Sequence, residues 1–319
     1  MHRRNWRVIS VMVALTLLLQ APVRAFDKQS GSIDVNGVTR TCIVAEPSAA
    51  AGGPRPLVLL LHGHLGTAAN VMGHGFRPSP LSAWLDRVDS QNVIVVALQG
   101  LKGGDGRTGW NDCRADNARN PTADDVAFAD AIVKQLIDRG AADAHRVYVM
   151  GMSNGGFMTL RLAQQMQPLP AAVAAMSASM AVDSRCDGPQ APVSVLLIDG
   201  TEDPLVPYAG GEVVRQGGKV LGVAGTRDVW LRADGLVGTA PVTRTLPHLH
   251  RDDPTRVEVA TYGADAGPQV EVVTIDGGGH VEPSLQHHYG AIYRRIVGAQ
   301  NRDFESAALA WAFFAPKRR

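Results

Sequence analysis

Ser153 stands at the centre of Gly151-Met152-Ser153-Asn154-Gly155, a G-x-S-x-G pentapeptide with a β-prone run before it and a helix-forming run after it. Small neighbours suit a sharp strand-to-helix turn, where strand and helix approach closely and the hydroxyl is left exposed. A chain with 34 glycines can produce the pattern by chance, so the flanking runs carry the argument. A serine hydroxyl is a weak nucleophile until a base takes its proton, and the base needs an acid to fix its orientation. Those partners are expected after later strands, acid first and histidine second. "VSVLLIDGTEDPLVPY" offers Asp199 and Asp203, and "VEVVTIDGGGHVEP" offers Asp276 and His280. His280 lies beyond three glycines, on a loop that can reach the turn. Asp203 is the expected acid because it lies past the strand end, whereas Asp199 is still in the strand and directed into the sheet face. The chemistry is acyl transfer: Ser153 as nucleophile, His280 as base, Asp203 as acid.

Negative charge developing on the substrate oxygen needs backbone N–H donors, each worth roughly 3 kcal/mol in the transition state. One is expected from Asn154, after the nucleophile. The other is expected from the loop His62 to Gly66, with His64 first and Leu65 behind it. The His62/His64 and His248/His250 pairs have ligand-like spacing, but no third ligand stands near either, so no metal is expected. "GLKGGDG" (100–106) lacks the lysine-serine ending of a phosphate-cradling loop and reads as flexible and exposed. The mechanism calls for no cofactor.

These residues must be positioned by the elements around them. Apolar, β-branched runs at 56–62, 92–98, 146–151, 171–178, 193–199 and 269–276 read as buried strands. Helical patterns lie between them: 122–140 with a capping box at Thr122 and Asp125, one from Asn154, and one closing the chain at 304–314. Such alternation predicts an α/β fold with a mostly parallel central sheet and helices on both faces. "SIDVNGVTRTCIVAEP" predicts an antiparallel hairpin at its edge, turning at Asn36-Gly37. The stretch from Gly235 to Gly267 reads as loop-rich and too short to be an appended binding domain. One catalytic domain over residues 26–319 is expected.

Residues 1–25 read as a secretory signal peptide: a basic start, the apolar run Val8 to Leu19, and small residues Val23 and Ala25 before a cleavage point. The run is shorter than the roughly 20 residues of a membrane span. The expected location is therefore periplasmic or extracellular, with no membrane association after cleavage. Of the 31 Lys and Arg, four stand in this leader, so the remainder carries 27 against all 30 Asp and Glu. That near-balance gives no reason to expect nucleic acid as a partner. A monomer acting on a small-molecule or oligomeric ester is expected. Export permits disulfides, and three cysteines allow three single bridges. Cys113 and Cys186 both fall in polar loops, which favours that pair; Cys42, in a strand-like run, reads as a small buried hydrophobe.

With these pieces in order, the sequence resembles the polyhydroxybutyrate depolymerase and feruloyl esterase family of secreted α/β-hydrolases. The matching segments are "LVLLLHGHLG", "GRTGWNDC", "TADDVAFADAIVKQL", "HRVYVMGMSNGGFM", "APVSVLLIDGTEDPLVPYAGG", "IDGGGHVEPS" and "AWAFF". The resemblance implies the same Ser153, Asp203 and His280. It also implies that Trp110, Asn111 and Tyr208 border the substrate pocket, and it supports the Cys113–Cys186 bridge. Leu236 and Val281 depart from the family pattern. The expected function is an exported serine carboxylesterase acting on short-chain hydroxyalkanoate esters. Feruloyl or acetyl esters of plant polysaccharide are the alternative, and a non-catalytic binding protein or a peptidase on the same scaffold are the rivals.

Overall fold

The apolar runs become the inner strands of a ten-stranded sheet in a computed structural model that describes residues 26–48, 52–75 and 78–319. The expected signal peptide, residues 1–25, lies outside the described residues. In chain order the first half holds β1 (Asp27–Val35), β2 (Val38–Glu46), β3 (Arg55–Leu61), α1 (Ala68–Val71), α2 (Leu85–Ser90), β4 (Ile94–Leu98), β5 (Leu101–Lys102), β6 (Thr108–Gly109) and α3 (Asp125–Asp138). Then follow β7 (Ala142–Met152), α4 (Asn154–Gln165), β8 (Ala172–Met176), β9 (Ser194–Gly200), β10 (Gly210–Glu212), β11 (Lys219–Leu221) and α5 (Val223–Ala233). The chain ends with β12 (Val242–Thr245), β13 (Arg256–Gly263), β14 (Gln269–Asp276), α6 (Ala291–Val297) and α7 (Ser306–Phe314).

The sheet order is β1-β2-β4-β3-β7-β8-β9-β14-β13-β12. From β4 to β14 every pair is parallel. The expected hairpin sits at one edge, with β2 antiparallel to β4. Its turn residues Asn36 and Gly37 have φ of 53° and 78°, the left-handed pair that a two-residue hairpin turn needs.

Strand β3 shows why these runs are continuously apolar. Leu57, Leu59 and Leu61 pack on one face with Phe128 of α3 and Leu160 of α4. Val58 and Leu60 pack on the other with Trp84, Tyr148 and Phe314 of α7. Both faces are covered, and each large side chain fully buried there stabilises by roughly 2 kcal/mol.

Two expectations change. The stretch 235–267 is not all loop: β12 and β13 extend the sheet antiparallel beyond β14. β12 is exposed along its length, so no apolar run marks it. The cap of α3 is Asp124, whose side chain accepts the Ala127 N–H at 3.0 Å. Asp125 instead turns inward to a buried ion pair with Arg40 at 2.5 Å and accepts the Asn111 N–H at 2.7 Å.

Cys113 and Cys186 are bridged, and Cys42 is a free, buried thiol. The bridge pins the loop after β6 to the loop after β8, where the Ala115 N–H also donates to the Asp183 carbonyl at 3.0 Å. It spans 73 residues, a separation for which loop-closure entropy gives about 4 kcal/mol of stabilisation. The double variant Cys113→Ala/Cys186→Ala should therefore unfold at a clearly lower urea concentration than the oxidised parent. Coincident urea curves would show that the bridge contributes nothing.

Candidate active site

Ser153 occupies the turn between β7 and α4 with φ 56° and ψ −122°. A non-glycine residue in that region costs on the order of 1–3 kcal/mol, so its surroundings must hold it. The Ser153 N–H donates to the Met176 carbonyl at 2.8 Å, and the Ser153 carbonyl accepts the Phe157 N–H at 2.9 Å. The approach is as close as the pentapeptide predicts. A Cβ on Gly155 would lie 2.4 Å from the Leu61 carbonyl oxygen, and one on Gly151 would lie 2.3 Å from that of Gly155.

Asp203 lies on the loop after β9. Its Oδ1 accepts the Leu205 and Val206 N–H groups, both at 2.8 Å, and its Oδ2 is 2.7 Å from His280 Nδ1. His280 Nε2 is 2.8 Å from Ser153 Oγ. A carboxylate oxygen only accepts, so Nδ1 carries the imidazole proton and Nε2 turns a lone pair to the hydroxyl. The glycines before His280 do more than lengthen a loop. A Cβ on Gly279 would lie 2.1 Å from the Val297 carbonyl oxygen, which also accepts the His280 N–H.

The two other carboxylates are elsewhere. Asp199 is buried, with Oδ1 accepting the Ala178 N–H at 3.2 Å and Oδ2 without a partner. Burial, then the nearby Asp203 charge, holds its pKa well above the carboxylate range. Asp276 is exposed, and its Oδ1 accepts from the Thr201 hydroxyl at 3.4 Å.

In the loop from His62 to Gly66, the Leu65 N–H donates to the Thr108 carbonyl at 2.9 Å and the Gly66 N–H to that of Gly63. The His64 and Asn154 amides make no hydrogen bond among the described residues. "GLKGGDG", expected to be flexible, is built as the hairpin β5–β6, which brings Asp105 within 2.8 Å of His64 Nε2.

A cavity of about 630 Å³ opens over Ser153 and His280. Trp110, Asn111 and Tyr208 do not line it, which corrects the expectation drawn from the family. Trp110 is wholly buried, with Nε1 donating to the His62 carbonyl at 2.7 Å and its N–H to Asn154 Oδ1 at 2.6 Å. Asn111 Nδ2 donates to the Ala123 carbonyl at 2.9 Å, and the Tyr208 hydroxyl is 2.8 Å from that of Thr274. These are supports behind the cavity wall. Sequence reasoning missed two features of the site. The Asn154 side chain donates to Asp112 Oδ2 at 2.8 Å, and Asp112 is forked by Arg114, both buried. Glu282, two residues past His280, lines the cavity; an acid set among apolar and small residues in "GGGHVEPS" was the available signal.

A model of the prolyl oligopeptidase family matches residues 83–187, the stretch from the turn before α2 through the serine turn to the disulfide. NocK of Nocardia uniformis subsp. tsuyamanensis, named as an esterase, is 29% identical over 81% of this chain and 74% of its own. Feruloyl esterase C of Emericella nidulans is 32% identical over 50% of this chain and 52% of its own. The poly(3-hydroxybutyrate) depolymerase of Ralstonia pickettii is 29% identical over 51% of this chain and 36% of its own. The acetyl xylan esterase of Aspergillus awamori superposes with a TM-score of 0.54 at 16% identity, over 84% of this chain and 98% of its own. The chain has the α/β-hydrolase fold and is similar to esterases that share it. The resemblance to the depolymerase and feruloyl esterase family is thereby borne out. Matched segments span about half the length of the feruloyl esterase and about a third of the depolymerase, so the activities of those whole proteins do not transfer by length alone.

The His62 ring, packed 4.9 Å from Trp110, has one tautomer. Nδ1 faces the Gly63 carbonyl at 2.8 Å, and Nε2 accepts the Gly100 N–H at 3.0 Å, so the proton is on Nδ1. Burial, only partly opposed by the Gly63 bond, lowers its pKa to about 4. The unfolded chain takes up this proton below about pH 6.5 while the folded chain does not. Stability should fall as pH drops from about 6.5 to 4, by roughly 3 kcal/mol from this group. His62→Gln should flatten that limb of a plot of unfolding free energy against pH. An unchanged slope in the variant would remove His62 from the account.

Proposed function

We propose that this chain is an exported serine carboxylesterase whose catalytic domain runs from residue 26 to 319. The carrying observation is the hydrogen-bonded series Ser153–His280–Asp203 at the floor of the cavity. Ser153 Oγ attacks the ester carbonyl as His280 Nε2 takes its proton; Asp203 holds the imidazole and stabilises its charged form. The Asn154 and His64 amides, left without acceptors, receive the oxyanion. His280 then returns the proton to the leaving alkoxide, and water repeats the sequence on the acyl-enzyme.

The substrate reading is a short-chain hydroxyalkanoate ester or oligomer, processed by a monomer after signal cleavage. A cavity of this size supports it, being large enough for a few acyl units. Feruloyl or acetyl esters of polysaccharide are the second reading, favoured by the identity to feruloyl esterase C and the overlay on acetyl xylan esterase.

Hydrolysis of p-nitrophenyl acetate, p-nitrophenyl butyrate and a feruloyl ester tests both readings. Ser153→Ala should lose turnover by about a millionfold, to near background. Asp203→Asn should lose about ten-thousandfold, because the imidazole no longer has its tautomer fixed. The order among the three esters separates alkanoate from feruloyl chemistry. A wild type as inert as Ser153→Ala on all three would reject the esterase and move the binding-scaffold or peptidase reading ahead.

A further inference from the structure

Glu282 lies on the wall of the reaction cavity, two residues past His280, with 7% of its surface exposed. A carboxylate so withdrawn from water needs hydrogen bonds to stay charged. Its partners are neutral: Ser79 Oγ donates to Oε1 at 2.9 Å, and the Tyr289 hydroxyl donates to Oε2 at 3.2 Å. Each carboxylate oxygen accepts one of these bonds and has room for a second.

The group is held in place from behind. Gln300 Nε2 donates to the Glu282 carbonyl at 2.8 Å, and Gln300 Oε1 accepts the Tyr289 N–H at 2.9 Å. Tyr289 and Tyr293, whose rings lie 4.7 Å apart, share the cavity wall. Burial and the Glu282 charge push the Tyr293 hydroxyl up to about 12 and raise that of Tyr289 further, so both remain protonated. Glu282 is thus a fixed acceptor in a cavity whose other charged lining groups are Asp105, engaged with His64 Nε2 at 2.8 Å, and Arg107, Arg119 and Arg215. With three arginines against two carboxylates, the lining gives an ammonium group no net attraction. A neutral hydroxyl can donate to Glu282 whatever that balance.

We propose that Glu282, held by Ser79 and Tyr289, selects esters that carry a free hydroxyl group, which donates to its carboxylate while the ester carbonyl lies at Ser153. The proposal rests on Ser153 being the nucleophile of this cavity. The hydroxyl can belong to the acyl part or to the alcohol part, and paired substrates distinguish them. Ethyl 3-hydroxybutyrate against ethyl butyrate probes the acyl side; glycerol monobutyrate against propyl butyrate probes the alcohol side.

The experiment measures kcat/KM for all four esters, and calorimetric affinity for the same four with Ser153→Ala. The hydroxylated member of one pair is expected to be favoured by about tenfold or more, the range for a hydrogen bond to a charged group. Glu282→Gln keeps the volume and removes the charge, and it should cut that ratio about fivefold. A ratio compares two esters on one protein, so a general loss of turnover cancels. Equal affinity or no affinity for both members of each pair overturns the proposal, as does an undiminished ratio in Glu282→Gln. If wild type hydrolyses none of the esters but Ser153→Ala still binds the hydroxylated member more tightly, the esterase reading fails and the subsite stands.

Discussion

The contact between the end of β7 and the start of α4 is the constraint on which the rest of the site depends. Ser153 is held at positive φ there, and the backbone can follow that path only because Gly151 and Gly155 carry no Cβ to strike its neighbours. The strain is local and the support is distant. Met176 on β8 accepts the Ser153 N–H, and the carbonyls of Leu61, the last residue of β3, and of His62 just after it abut Gly155. Ser153 is therefore braced by the two strands flanking β7. Parallel pairing then does the remaining assembly. β7, β9 and β14 run the same way, so the loops carrying Ser153, Asp203 and His280 emerge at one edge of the sheet.

A second layer keeps the turn rigid from the other side. The Asn154 side chain accepts the Trp110 N–H and donates to Asp112, and Asp112 is forked by Arg114, whose guanidinium lies 4.1 Å over the Phe157 ring of α4. The disulfide closes this layer next to Arg114. A buried ion pair of this kind contributes little net stability, since desolvation offsets the attraction. Its effect is geometric: it fixes the Asn154 side chain and holds the loop that carries Trp110 beneath His62.

Much of this was legible in the sequence because it follows from one-dimensional patterns. The six apolar runs became β3, β4, β7, β8, β9 and β14 within a few residues, since a strand covered on both faces has no polar positions to blur it. The spacing of Ser153, Asp203 and His280 was legible for the same topological reason. β12 was not, because an exposed edge strand has no burial to record. The α3 cap lies two residues past Thr122, at Asp124, because Asp125, the expected capping-box partner, turns inward to Arg40, which is distant in the chain. Trp110, Asn111 and Tyr208 were placed beside the cavity from relatives' motifs. Their positions depend on three-dimensional partners, Asn154, Ala123 and Thr274, that no local pattern reveals.

The division between what was legible and what was not follows a division in the molecule. Ser153, Asp203 and His280 are fixed by backbone geometry that the parallel sheet sets, so their sequence signature is strong. The walls of the cavity come from loop side chains that the sheet does not constrain, and fold alone leaves their chemistry open. Glu282 falls between the two. It shares a loop with His280, and that loop is anchored by the Val297 carbonyl under the histidine and by Gln300 under the glutamate. Because one anchored segment carries both side chains, a group bound at Glu282 sits at a set reach from His280 Nε2. Glu282 and His280 are thereby held in one frame, and a change in how this loop seats on α6 would move both together.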